Sequence, residues 1–176
     1  MKVYAKNDAL IIDEVDVLFQ CLDEGLATIN MVLGSRYVKT LRSEAEKWKK
    51  DLFTLTQIVE EWVNCQKQWI YLENIFAAPD IKKQLPAESH SFEVVDKFFK
   101  TIMGKIHKLP NAMRFYKQNL GVLEQLKTNN ETLENIQKKL EDYLENKRSA
   151  FPRLYFLSND ELLEILANSQ NLDVIQ

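Results

Sequence analysis

Nucleotide binding would require a glycine-rich phosphate-binding loop in this 176-residue sequence. Phosphate-binding loops such as G-x-x-x-x-G-K-[ST] and G-x-G-x-x-G need closely spaced glycines, because backbone N–H groups must approach the phosphates. Gly104 precedes Lys105, but no glycine stands upstream at the required distance. The other three glycines are isolated: Gly25, Gly34 and Gly121. We therefore expect no nucleotide site in this chain.

Side chains for acid–base, nucleophilic or metal chemistry are equally scattered. His90 and His107 have no partners at metal-ligand spacing. No Ser/His/Asp or Cys/His set follows from the spacing. Paired acidic residues lie in helical patterns, where a solvated face explains them; they are Glu60-Glu61, Glu141-Asp142 and Asp160-Glu161. The sequence therefore predicts no catalytic residue, no cofactor and no metal.

Composition and charge favour an intracellular, soluble interaction protein. The 26 acidic and 23 basic residues are interspersed and give a net charge of −3, which argues against nucleic acid or an anionic membrane as partner. No apolar run approaches the roughly 20 residues that span a bilayer, and Met1 to Asp8 lacks the apolar core of a signal peptide. Cys21 and Cys65 stand alone, so we expect both to be buried, reduced, small apolar side chains.

One long helix should position most of the core. Only four Gly and four Pro occur in the chain, which favours long helices over a loop-rich fold. From Leu41 to Phe76 apolar residues recur every three or four positions, which predicts a helix about 50 Å long. Further apolar residues, such as Ile58 and Val63, widen the stripe beyond a two-stranded coiled coil. The predicted core spine consists of Trp48, Trp62, Trp69, Leu72 and Phe76.

The remaining elements are also predicted to be helical. The fold class is therefore all-α, an elongated multi-helix bundle with long antiparallel helices, in which residues 1–176 form a single segment. The first predicted helix runs from Ala9 to Leu33, with Asn7 or Asp8 as its cap and Gly25 as a weak point in its middle. A short turn is predicted between Pro79 and Pro86. The other predicted helices run from Ser89 or Ser91 to His107, from Asn111 to Gln118, from Leu120 to Lys147 and from Asn159 to Ala167. A possible capping box at Thr128 and Glu131 leaves one or two helices open for 120–147.

The stretch F-P-R-L-Y-F-L-S-N-D-E-L-L-E-I-L, Phe151 to Leu166, combines two local signals. Ser158 and Glu161 form an S-x-x-E capping box for the last helix, and residues 151–157 are the only β-like part of the chain. Tyr155 and Phe156, like Tyr71, do not fit a helical face, so either contact with a partner or ordinary core packing can explain them.

Three stretches carry a family pattern: Q-W-I-Y-L-E-N-I-F-A-A-P-D-I-K-K-Q-L-P-A-E-S at Gln68 to Ser89, F-E-V-V-D-K-F-F-K-T-I-M at Phe92 to Met103, and Ile136 to Leu166. They resemble the linker of dynein heavy chains. S-N-D-E-L-L-E-I-L at Ser158 to Leu166 is similar to the axonemal type, and K-L-P-N-A-M-R at Lys108 to Arg114 to the inner-arm form. The resemblance is strongest over residues 40–170. Asn74 replaces a usual proline, Phe99 a usual tryptophan and Leu154 a usual aromatic residue.

The resemblance implies a mechanical role without chemistry in this chain. The linker is a helical arm that lies across the AAA ring of the same heavy chain and changes shape as that ring turns over ATP. ATP and Mg would belong to the parent ring, and other dynein subunits and microtubules would be met only through the full motor, with no nucleic acid and no membrane as partners. The implied location is the cytoplasm and cytoskeleton, in the axoneme of a cilium or flagellum.

A candidate surface for docking within the heavy chain follows from that resemblance. It comprises Phe151, Arg153, Tyr155, Phe156, Ser158, Asn159, Asp160 and Glu161. The alternative function is a stand-alone helical adaptor that binds a partner helix through the tryptophan-bearing helix.

Overall fold

The computed structural model describes residues 2–4 and 9–167. Within these ranges the fold is all-α and multi-helical, as predicted, with one two-stranded antiparallel hairpin that pairs Lys2–Val3 (β1) with Leu10–Ile11 (β2). The α-helices are α1 (Val15–Gly34), α2 (Arg42–Phe76), α3 (Pro79–Gln84), α4 (Pro86–Lys108), α5 (Ala112–Gln118), α6 (Val122–Ala150) and α7 (Asn159–Ala167); 3-10 helices cover Val38–Thr40 and Pro152–Phe156.

The described chain divides into two compact units. The first comprises the described residues up to 66 together with 99–128, and the second comprises 67–98 together with the described residues from 129 to 167. The boundaries between them fall inside α2, α4 and α6, which are continuous helices.

The first unit is built around the N-terminal part of α2. Leu22 of α1 packs with Leu55, Val59 and Val63 of α2, and Met113 and Tyr116 of α5 lie against this cluster. The rings of Trp62 and Phe115 are 5.6 Å apart between centroids. Apolar side chains spaced three or four residues apart on α2 thus meet two other helices, which explains the wide stripe in the sequence.

The second unit is built around the C-terminal part of α2. The indole N–H of Trp69 donates a hydrogen bond to Oδ1 of Asp96 on α4 at 2.9 Å, and the side chain is completely buried. Phe76 stacks on Phe92 with 5.4 Å between ring centroids. The short helix α3 packs against α7.

The predicted core spine is buried at four of its five positions. Trp62, Trp69, Leu72 and Phe76 are buried, but Trp48 is 42% exposed, so its assignment to the spine is wrong. The first turns of α2 are largely exposed, and Trp48 instead lies beneath the Lys117 ammonium, 5.2 Å from the ring centroid. Helical spacing places Trp48 on the apolar side of α2, but burial also requires another helix packed against that position.

The N-terminal segment differs from the prediction. Residues 10–11 form β2, and α1 begins at Val15 rather than at Ala9; the predicted caps Asn7 and Asp8 lie outside the described residues. Gln66, a buried residue of α2, holds this segment by accepting from the Ile12 N–H at 2.7 Å and donating to the Ile12 carbonyl at 2.9 Å. Because a long-range contact fixes Ile12, the helix cannot start upstream of it.

Other boundaries differ for local reasons. Gly25 does not interrupt α1, and α4 begins at Pro86, a favourable first helical position. The two-helix alternative for residues 120–147 is excluded, since α6 is continuous and the Thr128 hydroxyl donates to the Glu124 carbonyl at 2.9 Å instead of capping a new helix. Residues 152–156 form a 3-10 helix rather than an extended stretch, because proline fixes φ near the helical value.

One expectation about exposure is wrong. Cys21 is exposed, whereas Cys65 is buried as predicted, and burial raises the pKa of the Cys65 thiol to about 12.

Among the described residues, α1 meets the length and composition criterion for a membrane span. Its sequence is nevertheless interrupted by polar residues such as Asp16 and Asp23, so it contains no unbroken apolar run of 20 residues.

Replacing Gly25 with alanine should stabilise the chain. A Cβ atom at this position would lie 3.7 Å from Cδ1 of Leu52, an ordinary van der Waals distance, and alanine is favoured over glycine inside a helix by about 1 kcal/mol. We expect urea denaturation to show a gain of that size for Gly25→Ala. The reverse change at an exposed position of the same helix, Ala27→Gly, should cost about the same amount; a loss of stability in Gly25→Ala would contradict the expected packing.

Trp69→Phe should destabilise the chain far more than Trp48→Phe. The first change removes the hydrogen bond to the Asp96 carboxylate, and hydrogen bonds to charged groups contribute about 1.5–3 kcal/mol. The second alters a partly exposed ring whose cation–π contact is worth only about 0.5–1 kcal/mol. Free energies of unfolding from denaturant titration test the difference, and equal losses would be inconsistent with the buried indole bond.

Candidate functional site

The candidate surface lies in the connection between α6 and α7, which we call the aromatic turn (residues 151–157). The Phe151 N–H donates to the Lys147 carbonyl at 3.0 Å, which completes the last turn of α6. Two i→i+3 bonds then close the 3-10 helix: Leu154 N–H to Phe151 O at 2.9 Å and Leu157 N–H to Leu154 O at 3.1 Å. The backbone of the aromatic turn is therefore tied by hydrogen bonds at both ends.

Side chains of α6 fasten the aromatic turn further. The Tyr155 hydroxyl donates to Oε1 of Glu145 at 2.7 Å and lies 3.4 Å from Oγ of Ser149. Nη2 of Arg148 donates to the Leu157 carbonyl at 3.0 Å. These three α6 residues were not among the predicted site residues, although their position one or two turns before F-P is the signal that could have found them.

The aromatic rings of the turn face solvent. Phe156 is 91% exposed, and more than half of Phe151 and of Tyr155 is exposed; Arg153 is exposed as well. The partner-contact interpretation of Tyr155 and Phe156 is thus compatible with the structure, whereas core packing among residues 2–4 and 9–167 is excluded for both. Large rings held in a fixed backbone have little conformational freedom left to lose on binding.

The capping box predicted at the start of α7 is present. The Ser158 N–H and hydroxyl donate to Oε2 of Glu161 at 2.8 and 2.9 Å, and the Glu161 N–H donates to Oγ of Ser158 at 3.3 Å. The Ser158 hydrogen bonds, the backbone one first, lower the pKa of the Glu161 carboxyl. Reciprocal capping fixes the direction in which α7 leaves the aromatic turn.

The rest of α7 anchors the site to the second unit. Leu162 and Leu163 are buried, and the helix packs against α3. Asn159 is half-buried and Asp160 is exposed. The pKa of Tyr71 is raised, chiefly by burial and then by the charge of Asp160. All eight predicted residues thus lie on one segment, which hydrogen bonds to α6 and the packing of α7 hold in place. The first turn of α7 carries two acidic residues.

The exposed groups of the surface are suited to contact with another protein. In residues 2–4 and 9–167, no group of three His, Cys, Asp or Glu side chains is placed to hold a metal ion. The exposed groups of the surface are the rings of Phe151 and Phe156, part of the Tyr155 ring, the Arg153 side chain and the acidic residues in the first turn of α7. Such groups form contacts with another protein surface.

The chain belongs to the dynein heavy-chain family: it matches the family described as dynein heavy chain, N-terminal region 2, over residues 1–176. Its relatives are axonemal members, as the resemblance predicted. It is 48% identical over 170 residues to dynein axonemal heavy chain 6 of Homo sapiens and 43% identical over 159 residues to dynein axonemal heavy chain 2 of Homo sapiens. These alignments cover 97% and 90% of this chain but only 4% of each relative.

The capping box should titrate with the Glu161 carboxyl. Because the folded-state pKa is lowered, the contribution of the ionised box is fully present above the unfolded-state pKa and is lost as pH falls through the lowered folded-state value. We expect the Ser158 amide proton in NMR spectra to shift with a midpoint below 4.5, the ordinary value for this carboxyl. Glu161→Gln should abolish that titration, and a wild-type midpoint at or above 4.5 would show that the box does not bind the carboxylate.

Proposed function

We propose that this chain is a segment of the linker of an axonemal dynein heavy chain, the mechanical arm that couples ATP turnover in the motor ring to movement along microtubules. Family membership supports the heavy-chain part of this proposal. The proposed location is the cytoskeleton of a cilium or flagellum, in agreement with the axonemal relatives.

The long helices support a role in transmitting force. Helix α2 has 35 residues and α6 has 29, so at 1.5 Å per residue they extend for about 50 and 44 Å. Each is a continuous α-helix and contributes buried apolar side chains to the core. A continuous helix of this kind resists bending better than a chain of short elements.

The aromatic turn is the proposed contact with the AAA ring of the same heavy chain. The single observation that carries this assignment is Phe156, which is 91% exposed on a backbone fixed by Arg148 and Tyr155. Exposing a phenylalanine to water is unfavourable, and a fixed ring is a typical anchor for a protein interface. ATP and Mg would bind in the ring and not in this chain.

The adaptor alternative has less support. It requires the tryptophan face of α2 to receive a partner helix, but Trp62 and Trp69 are buried in the cores of their own units. A partner could reach them only by displacing α4 or α5 side chains, such as Asp96 or Phe115.

Phe156→Ala in the complete heavy chain should slow microtubule gliding several-fold while the ring continues to hydrolyse ATP. Truncating an aromatic anchor weakens an interface by about 2 kcal/mol or more, so the linker would lose its contact without loss of the ring's chemistry. The measurement is gliding velocity together with ATPase rate for the same preparation.

Phe53→Ala is the matched control, because Phe53 is an exposed phenylalanine on α2, away in sequence from the aromatic turn. Both substitutions should change the stability of the isolated chain by less than about 0.5 kcal/mol, as is usual for surface positions. Unchanged gliding in Phe156→Ala, or equal slowing in both variants, would contradict the proposed contact.

A further inference from the structure

Helix α1 carries a second stripe on the side that faces away from α2. Its inner side chains, which include Leu18, Phe19 and Leu22, pack in the core of the first unit. A second set recurs with spacings of four, three, four and three residues, the repeat of a helix that packs on another helix. We call it the outer stripe: Val17, Cys21, Glu24, Thr28 and Met31.

The outer stripe is exposed and partly apolar. Met31 is 78% exposed and Val17 is 57% exposed, and Cys21, Glu24 and Thr28 are also exposed. A helix of an isolated globular protein normally presents charged and polar residues on this side. Val17 and Met31 are therefore large apolar side chains left in water on this side, and a contact there would cover them.

The charge of α1 restricts what can cover the outer stripe. The helix carries Asp16, Asp23 and Glu24 and no lysine or arginine. Two copies of α1 packed together would bring carboxylates near carboxylates, and an anionic lipid surface would be repelled in the same way. A partner with basic residues beside its apolar positions would be attracted, so the charge favours an apolar helix with a basic edge.

Glu24 would fix the register of that partner. Its carboxylate accepts from Nε2 of Gln20 at 2.8 Å, in the middle of the outer stripe. Glu24 is the one charged residue of the outer stripe, and a polar residue at such a position costs stability but selects one alignment of two helices. A lysine or arginine of the partner placed opposite Glu24 would provide that selection.

We propose that the outer stripe binds a basic-edged helix from a part of the same heavy chain outside residues 1–176. This occupant is favoured because the chain accounts for only 4% of the length of its relatives, which leaves many heavy-chain helices available at high effective concentration. The proposal rests on the part of the proposed function that makes this chain a segment of a longer heavy chain, but not on the mechanical role or on the aromatic turn.

The reactivity of the Cys21 thiol reports directly whether a partner covers the outer stripe. Its thiol lies on the outer stripe, whereas Cys65 is fully buried and serves as an internal reference. The experiment is a brief pulse of iodoacetamide applied to the isolated chain and to the intact heavy chain, followed by quantification of the two cysteine peptides by mass spectrometry. We expect Cys21 to react at least ten times more slowly in the intact heavy chain, and Cys65 to remain unlabelled in both.

A pair of variants distinguishes a helix bound on the outer stripe from a nonspecific loss of Cys21 reactivity in the larger protein. Met31→Glu adds a carboxylate to the outer stripe and should return Cys21 labelling in the intact heavy chain towards the rate of the isolated chain. Phe53→Glu, at an exposed position outside α1, should leave the slow rate unchanged. Equal Cys21 rates in the isolated chain and the intact heavy chain would overturn the proposal, as would failure of Met31→Glu to restore labelling.

The other possible occupants give different outcomes. Protection of Cys21 that appears in the isolated chain and grows with its concentration would mean a second copy, and protection by vesicles of phosphatidylcholine and phosphatidylserine would mean a membrane; either would overturn the proposal. Recovery of the Cys21 peptide from cilia only in a 20.7 kDa species would instead refute heavy-chain membership. The mechanical role is tested separately by gliding velocity.

Discussion

Burial of one side of α2 is the constraint on which the rest of the structure depends. Along this helix Leu55, Ile58, Trp62, Cys65 and Trp69 are all nearly inaccessible to water. No single neighbour could cover so wide a stripe, so α1 and α5 pack on the N-terminal part, and α4 contacts the C-terminal part. The positions of the shorter elements follow from the requirement to cover this surface.

Polar contacts add specificity where burial alone would leave choices open. The Gln66 amide binds both backbone groups of Ile12, and the Trp69 indole binds the Asp96 carboxylate. A buried polar group without a partner is costly, so each contact excludes alternative alignments of the elements it joins. The cores are therefore defined by hydrogen-bond partners as well as by apolar area.

The two candidate surfaces, the aromatic turn and the outer stripe of α1, have different physical origins. In the aromatic turn, hydrogen bonds from α6 and the capping box of α7 hold Phe156 in water against the hydrophobic effect. On α1, helical geometry exposes Val17 and Met31, because they lie on the side opposite the residues that pack against α2. The first surface is local in sequence and rigid, and the second follows the length of one helix.

The sequence by itself determined the all-α class, the length of α2, the existence of α1, α4, α5 and α7, the helical character of residues 120–147 and the Ser158–Glu161 capping box, because helical periodicity and capping act over four residues or fewer along the chain. It also identified Trp62, Trp69, Leu72 and Phe76 as core residues. It could not decide that Trp48 and Cys21 are exposed or that α1 starts only at Val15. Tertiary structure decided those points, since each depends on which distant side chain covers or bonds a residue, as Gln66 does for Ile12 across 54 positions.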